Sequence, residues 1–417
     1  MNIHGIIGIV LILSVAWALS EDRALRPRWQ WIAGAVAIQF VAAILIVRVP
    51  LIWDIIGLAN VAVAAIERAT QVGAGYIFGY IGGAPLPFEL KPGVTAPVVI
   101  AFQILPLVIV YSALAALLWH WGILARLVRG ISWLLRTSMG VSGVVGLSAG
   151  ANLFMGVVES PLIVRAYFDR MSRAELFATM VLAMSTISGA ILVLYAQTLS
   201  RTMPDAVGHL ISASVISLPA AILIARLMVP GEGRTAADDR DSGLAYAGSA
   251  DALVRGTLDG IQLFLAVIGV IIVVFSLVAL VDGMLAALPV IDGAPITLRR
   301  SLGWVLAPFM WTLGVPWDQA PAAGALMGTK AVLNEYVAYL DLAALPADSF
   351  DARSRLIVVY ALCGVANLAS IGLLVATIGT LAPGRRADVA ALGVRSWIAG
   401  NLASSMTGAV IGIVTMA

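Results

Sequence analysis

Cysteine and histidine are nearly absent from this chain of 417 residues, which holds one of the first and three of the second. Cys363 alone cannot close an internal disulfide, and His4, His120 and His209 are scattered without metal-ligand spacing, which excludes a disulfide scaffold and a zinc enzyme. Charge is scarce too, at 12% of residues, and nearly balanced: 25 Lys plus Arg against 23 Asp plus Glu leave a net +2. Nucleic-acid binding needs a dense basic surface, so no nucleic-acid partner is expected. Ser-His-Asp and Cys-His arrangements with workable spacing are likewise missing, which argues against an enzyme. What fills the chain instead is hydrocarbon, with 61% of residues hydrophobic and a mean hydropathy of +1.00. Ordinary soluble chains carry about 25% charged residues. The composition defines a polytopic, all-α integral membrane protein.

A bilayer crossing needs about twenty apolar residues. Runs of this kind occur at 6–19, 31–47, 96–118, 175–198, 209–229, 260–283, 355–382 and 396–416, giving an expectation of eight transmembrane helices. The first run has no basic residues ahead of it and no small-residue cleavage site behind it, so it reads as a retained span and not a signal peptide. Basic residues near span ends stay cytoplasmic. Arg126, Arg129 and Arg136, Arg165, Arg170 and Arg173, and Arg385, Arg386 and Arg395 therefore mark the inner face, and both termini are expected outside. The polar stretch 230–259, rich in Gly, Ala and Asp, reads as a flexible cytoplasmic linker.

Two regions break the pattern of spans. Between His120 and Met139, Ile123, Leu124, Leu127, Val128, Ile131, Leu134 and Leu135 recur at helical spacing opposite three arginines, as in an interfacial helix. The Gly-rich segment 141–168 follows, interrupted by Asn152, Glu159 and Pro161, too broken for one span and long enough for the two arms of a re-entrant hairpin. The same order returns later, with an amphipathic segment at 296–309 and an interrupted stretch at 314–339. Two opposed hairpins in an inverted repeat are expected.

An ionised carboxylate at bilayer depth costs roughly 2.5–3.5 kcal/mol even on the lenient insertion scale, so such residues usually face a protein-lined cavity and act there. Glu159 and Glu335, one in each hairpin, are the clearest cases, with pairing to Arg165 or Lys330 as the structural alternative. The spans after the hairpins are interrupted by Ser185-Thr186-Ile187-Ser188-Gly189 and by Asn367-Leu368-Ala369-Ser370. Where helices unwind at mid-membrane, freed carbonyls can hold a cation and half-helix N-termini can meet polar ligand atoms. Ser and Thr also bond back to their own helix, which offers Thr186 and Ser188 a purely structural role.

Several blocks carry a family resemblance: Gly156-Val-Val-Glu159-Ser-Pro-Leu-Ile-Val-Arg165, Met171-Ser-Arg-Ala-Glu-Leu-Phe177, Thr186-Ile-Ser-Gly189, Gly314-Val-Pro-Trp317, Gly328-Thr-Lys-Ala-Val-Leu-Asn-Glu-Tyr-Val-Ala-Tyr339 and Ala361-Leu-Cys-Gly-Val-Ala-Asn-Leu-Ala-Ser-Ile371. Together they resemble the concentrative nucleoside transporter family, in its shorter bacterial form. The resemblance implies eight spans plus two opposed re-entrant hairpins, a homotrimer in the bacterial cytoplasmic (inner) membrane, and a transport domain moving against a scaffold. On that pattern 1–118 holds scaffold helices 1–3, 119–229 the first half of the transport domain, 230–259 the linker, 260–283 a scaffold helix and 284–417 the second half.

Carried over by resemblance, Asn152, Met155, Thr186 and Ile187 would form a sodium site, an oxygen set that suits a hard cation. Glu335, Asn367 and Ser370 would take the ribose hydroxyls, Gly156, Val157, Val158 and Glu159 the nucleobase, and Ile191 and Val365 would complete the substrate site. A ligand without hydroxyls would then leave Glu335 buried and unpaired, a strong basis for discrimination. Family members usually carry Gln and Ser or Thr where Val157 and Val158 stand, so an altered or broadened base preference is expected. The expected activity is sodium-coupled import of nucleosides. Proton coupling through Glu159 or Glu335, or transport of another ribosyl compound, is the alternative, with a membrane sensor or intramembrane enzyme further off.

Overall fold

The computed structural model describes residues 3–25, 27–91, 98–157, 159–200, 202–231, 235–236, 244–291 and 293–415. Val158, much of the expected linker and a few expected span ends lie outside the described residues. The described chain is helical throughout and forms no strand beyond one isolated bridge between Ile291 and Ala294. In order come α1 (Ile3–Ala18), α2 (Trp29–Arg48), α3 (Pro50–Phe78), α4 (Pro106–His120), α5 (Ile123–Met139), α6 (Gly143–Asn152), α7 (Ser160–Ile163), α8 (Arg173–Ser185), α9 (Gly189–Leu199) and α10 (Ala206–Met228). The second half holds α11 (Ser249–Leu285), α12 (Leu298–Thr312), α13 (Ala320–Val332), α14 (Glu335–Ala344), α15 (Ala352–Leu362), α16 (Leu368–Leu381) and α17 (Arg386–Val414). Seven helical segments among the described residues are long and apolar enough to cross a bilayer, and α1 and α16 are shorter apolar helices.

Each expected span coincides with a helix or a broken pair of helices. α3 was not anticipated. Asp54, Glu67 and Arg68 interrupt its apolar run, and its amphipathic pattern hid it among loop residues. It lies across the ends of other helices: Trp53, Ile56 and Asn60 surround Gly208 at the start of α10, while Gln197 near the end of α9 donates to Glu67 at 2.9 Å. Trp53 to Glu67 is about 20 Å of helix, and both ends of it touch the neighbourhood of the α9–α10 turn. A helix that crossed the molecule would leave that turn behind.

The linker expectation needs correction at its far end. Residues 249–259 are helical because α11 begins at Ser249, where Asp251 sits in the first turn and pairs with Arg255 at 2.9 Å one turn on. Gly256 and Gly260 then let α11 close on Ser112, Ala113, Ala116 and Ile109 of α4, the small-residue spacing that draws membrane helices together. The first two helices also pack on the last one. Gly5 of α1 abuts Ala409 and Ile413 of α17, Arg48 donates to the Val414 carbonyl at 2.8 Å, and Gln39 donates to Thr407. α1 and α2 therefore dock on α17 and α10, whereas α4 pairs with α11. Glu21, after α1, bonds Arg173 at the start of α8 and Arg395 of α17, and the Arg173 guanidinium holds the Glu21 carboxyl below the usual carboxylate range.

The repeat is visible in matched packing. α5 buries Leu124, Val128, Leu135 and Met139 against α6, which approaches closely at Gly146 and Gly150, while Ile123, Leu127 and Leu134 stay exposed beside the arginines, as suits an interface. In the second half α12 meets α13 in the same way through Gly303, Gly324 and Gly328. Each pair leads into a helix–turn–helix, α6–α7 and α13–α14, and then into a broken helix, α8/α9 and α15/α16. The two breaks meet at Gly364, whose backbone (φ 152°) presses on Met184 and Ser185, and Gly400 of α17 packs over Met184 and Ala366. That backbone region is essentially reserved for glycine. Gly364→Ala is expected to destabilise the protein by about 1–3 kcal/mol, read as a lower denaturation midpoint in detergent; an unchanged midpoint would contradict the crossing described here.

Candidate functional site

Helix ends converge on the crossing of the two breaks, and each is finished by a polar residue. Ser188 accepts from the Ile191 amide at the start of α9 at 3.4 Å, Asn334 from Val337 at the start of α14 at 2.9 Å, and Asn367 from Ser370 at the start of α16 at 2.9 Å. These caps satisfy amides that a helix start leaves open, so the polar interruptions of the sequence are first of all the stops and starts of half-helices. The N-termini of α9 and α16 bring partial positive charge to one place.

That place is a cavity of about 600 Å³. The first hairpin contributes Asn152, Met155, Gly156, Val157 and Glu159; the first break contributes Thr186, Ser188 and Ile191; the second hairpin and break contribute Asn334, Glu335, Val365, Asn367 and Ser370. Leu263 and Val267 of α11 close it with apolar surface. The two carboxylates thus share one chamber, one from each half. Of the sequence-predicted residues, Ile187 is fully buried and off the cavity wall, and Val158 lies outside the described residues.

Glu335 is buried and its two oxygens are each engaged: Tyr195 Oη donates to Oε1 at 2.6 Å, and Asn367 Nδ2 donates to Oε2 at 2.8 Å. A carboxylate offers about four acceptor positions, so about two stay open to a ligand. Glu335 is therefore paired without a ligand, which softens the expected penalty for a guest lacking hydroxyls. Lys330, the structural partner weighed for it, donates elsewhere, to the Ala361 carbonyl and to Ser404. Asn367 bridges Glu335 and the start of α16, where its Oδ1 also accepts from Ser370 Oγ at 3.1 Å.

Tyr195 was missed from sequence. It lies one turn after Ile191 on α9, stacks on Tyr336 at 5.6 Å between ring centroids, and lines the same cavity. A tyrosine one turn beyond a cavity residue, in an otherwise apolar span, was the signal available, since a buried hydroxyl seeks an acceptor.

The first hairpin is braced internally. Asn152 Nδ2 donates to the Ser148 carbonyl at 2.8 Å, and Ser160 Oγ donates to Asn152 Oδ1 at 2.7 Å. The Gly189 amide donates to the Phe154 carbonyl at 3.3 Å, fastening the hairpin tip to the start of α9. Thr186 Oγ1 donates to the Leu182 carbonyl at 2.9 Å and keeps its lone pairs free. Asn152 and Thr186 both line the cavity, and side-chain oxygens are the kind of group a hard cation prefers.

A membrane protein with two broken helices and two helix–turn–helix elements around one polar chamber is built as a secondary transporter. Comparison with known proteins agrees. Residues 7–81 match the family model for the Na+ dependent nucleoside transporter N-terminus, 101–202 that for nucleoside recognition, and 209–412 that for the Na+ dependent nucleoside transporter C-terminus. The chain is 32% identical to an uncharacterized transporter of Haemophilus influenzae over 99% of this chain and 97% of that one. It is 28% identical to the nucleoside permease NupC of Helicobacter pylori, again over 99% and 97%. Among solved structures, CNTnw in an inward-facing substrate-bound state matches with a TM-score of 0.90 and 33% identity, covering 100% of this chain and 98% of that one. The chain belongs to the concentrative nucleoside transporter family, a family of transporters and not of enzymes.

Tyr195→Phe leaves Glu335 Oε1 without its donor and is expected to destabilise the unliganded protein by about 1.5–3 kcal/mol, the usual worth of a hydrogen bond to a charged group. The denaturation midpoint checks this, and an unchanged midpoint would remove Tyr195 from the support of Glu335.

Proposed function

We propose that this protein imports nucleosides, coupled to sodium, by alternating access of the chamber between the two hairpins. The observation that carries the reading is the Glu335 carboxylate, held at the chamber wall by Tyr195 and Asn367 with acceptor positions to spare. A vicinal diol presents two donors in one plane, and a carboxylate can accept both as charge-assisted bonds, about twice as strong as neutral ones. Ser370, beside Asn367, is the second polar contact for the sugar. The base end of the chamber is Gly156, Val157 and Glu159, with Ile191 and Val365 as apolar walls. Val157 there offers contact area and no hydrogen bond, which favours a broad base preference.

Sodium sits, in this reading, between Asn152, the backbone at Met155, Thr186 and the Ile187 carbonyl. Asn152 and Thr186 support it as cavity-lining oxygen donors from the two elements that the Gly189–Phe154 bond already joins. The cation drives transport only through different affinities for different conformations, since equal binding to all states shifts nothing. α4 and α11, joined by their small-residue contact, serve as scaffold, with α3 lying alongside. The hairpins, the broken helices and α10 and α17 move together, and α1 and α2 travel with α17, to which Arg48 and Gly5 attach them. The helix–turn–helix elements are re-entrant. Exposed apolar residues of α11, among them Leu265, Ile272 and Leu280, meet lipid or the neighbouring copies of a homotrimer. The membrane is the bacterial inner membrane, and both termini, which adjoin through Gly5 and Ile413, lie outside.

Proteoliposomes test this by measuring uptake of adenosine and uridine with sodium and proton gradients imposed separately. Accumulation that follows the sodium gradient at fixed pH is expected; uptake indifferent to sodium and driven by protons would replace it with the alternative centred on Glu159 or Glu335. In the same vesicles Val157→Gln is expected to change the ratio of adenosine to uridine uptake without changing the sodium requirement. An identical ratio would show that Val157 does not read the base.

A further inference from the structure

Lys330 is fully buried in α13, one helical turn before the hairpin tip that presents Glu335, and it has no place on the cavity wall. A helix ends with carbonyls that have no donor of their own, and these must be met from outside when the end is buried. α15 ends at Leu362, directly before the unwound segment that carries Asn367. Its last carbonyls are met largely by the second hairpin. Tyr339 Oη of α14 donates to the Val359 carbonyl at 2.9 Å, and Lys330 Nζ of α13 donates to the Ala361 carbonyl at 2.8 Å. Lys330 also donates to Ser404 Oγ of α17 at 2.6 Å, so one amino group joins the hairpin, the end of the half-helix and α17.

The first half is finished differently. There the Leu182 carbonyl, near the end of α8, accepts from Thr186 Oγ1 at 2.9 Å and Ser185 Oγ at 3.3 Å, neutral groups of its own segment. The second break is thus stitched to its hairpin by side chains, while the first is closed by local hydroxyls.

We propose that Lys330 is a positioning residue for the ribose end of the substrate site: by tying the end of α15 to the second hairpin and to α17, it sets Asn367 against Glu335 before substrate arrives. Resting on the nucleoside reading above, this assigns Lys330 to the affinity of the sugar site and leaves the cation site of the first hairpin independent of it. Glu335 rides on the hairpin and Asn367 on the unwound segment. Their 2.8 Å contact holds only while those two elements keep register, and Lys330 fixes the register from outside the cavity. Preorganisation of this kind appears as ligand affinity, because ordering that is already in place need not be supplied on binding.

The test uses the full-length protein in detergent, with adenosine and uridine as probes by calorimetry in saturating sodium, and with the sodium-induced rise in denaturation midpoint recorded without nucleoside. Lys330→Met keeps the length of the side chain and removes its donors. It is expected to weaken nucleoside binding by about tenfold or more, two lost hydrogen bonds acting through geometry, while the sodium-induced rise is retained. Lys330→Gln, which restores a donor, is expected to recover part of the affinity. Unchanged nucleoside affinity in folded Lys330→Met, or equal loss of the nucleoside and sodium responses, would overturn the proposal. Should Lys330→Met fail to fold, Ser404→Ala carries the decision, with an expected loss of about threefold in nucleoside affinity at an intact sodium response and an unchanged affinity as the contrary result. A wild-type protein that binds neither nucleoside overturns the functional reading itself, and this is seen before any substitution is made.

Discussion

A carboxylate buried in the middle of a membrane protein must be satisfied by the protein before a ligand can use it, and Glu335 is the residue on which this constraint falls. Its oxygens take a phenol from α9 and an amide from the α15/α16 break. Those two donors come from different halves of the chain, so the halves must cross where Glu335 stands. Much of the remaining architecture follows from that crossing. The helices break there, Gly364 allows the breaks to touch, and α17 covers the crossing with Gly400.

Broken helices expose backbone, and the protein meets that exposure in two ways. Starts of half-helices are closed by Ser188, Asn334 and Asn367. Ends are closed by hydroxyls in the first half and by side chains of the second hairpin in the other. Asn152 and Thr186 line the chamber from the first hairpin and break, while Tyr195, Asn367 and Ser370 stand around the carboxylate and its helix start. One repeated plan thereby brings different polar groups to the two ends of the chamber. Asn367 shows how closely fold and site are joined, since the same side chain starts α16 and orients Glu335.

Much of this was legible in the sequence because a membrane imposes simple patterns. Continuous apolar runs located most of the long apolar helices, and Glu159 and Glu335 stood out because charge in an apolar setting is costly. α3 escaped because Asp54, Glu67 and Arg68 interrupt its apolar run, so that it mixes polar and apolar residues like a surface segment. The start of α11 escaped because Gly256, one of the glycines of a stretch read as flexible, is instead part of the close contact with α4. Tyr195 and the exact duty of Asn367 depend on contacts 140 and 32 residues away along the chain, and spacing within one segment carries no trace of them.

The central claim is that the open acceptor positions of Glu335 bind the sugar hydroxyls of a nucleoside. Calorimetric titration of purified protein in sodium with a ribonucleoside and with its 2′,3′-dideoxy counterpart tests it most directly. The account predicts one ribonucleoside bound per chain and a dideoxy affinity lower by about tenfold or more, one charge-assisted hydrogen bond being worth at least that factor. Equal affinity for the two compounds would contradict it.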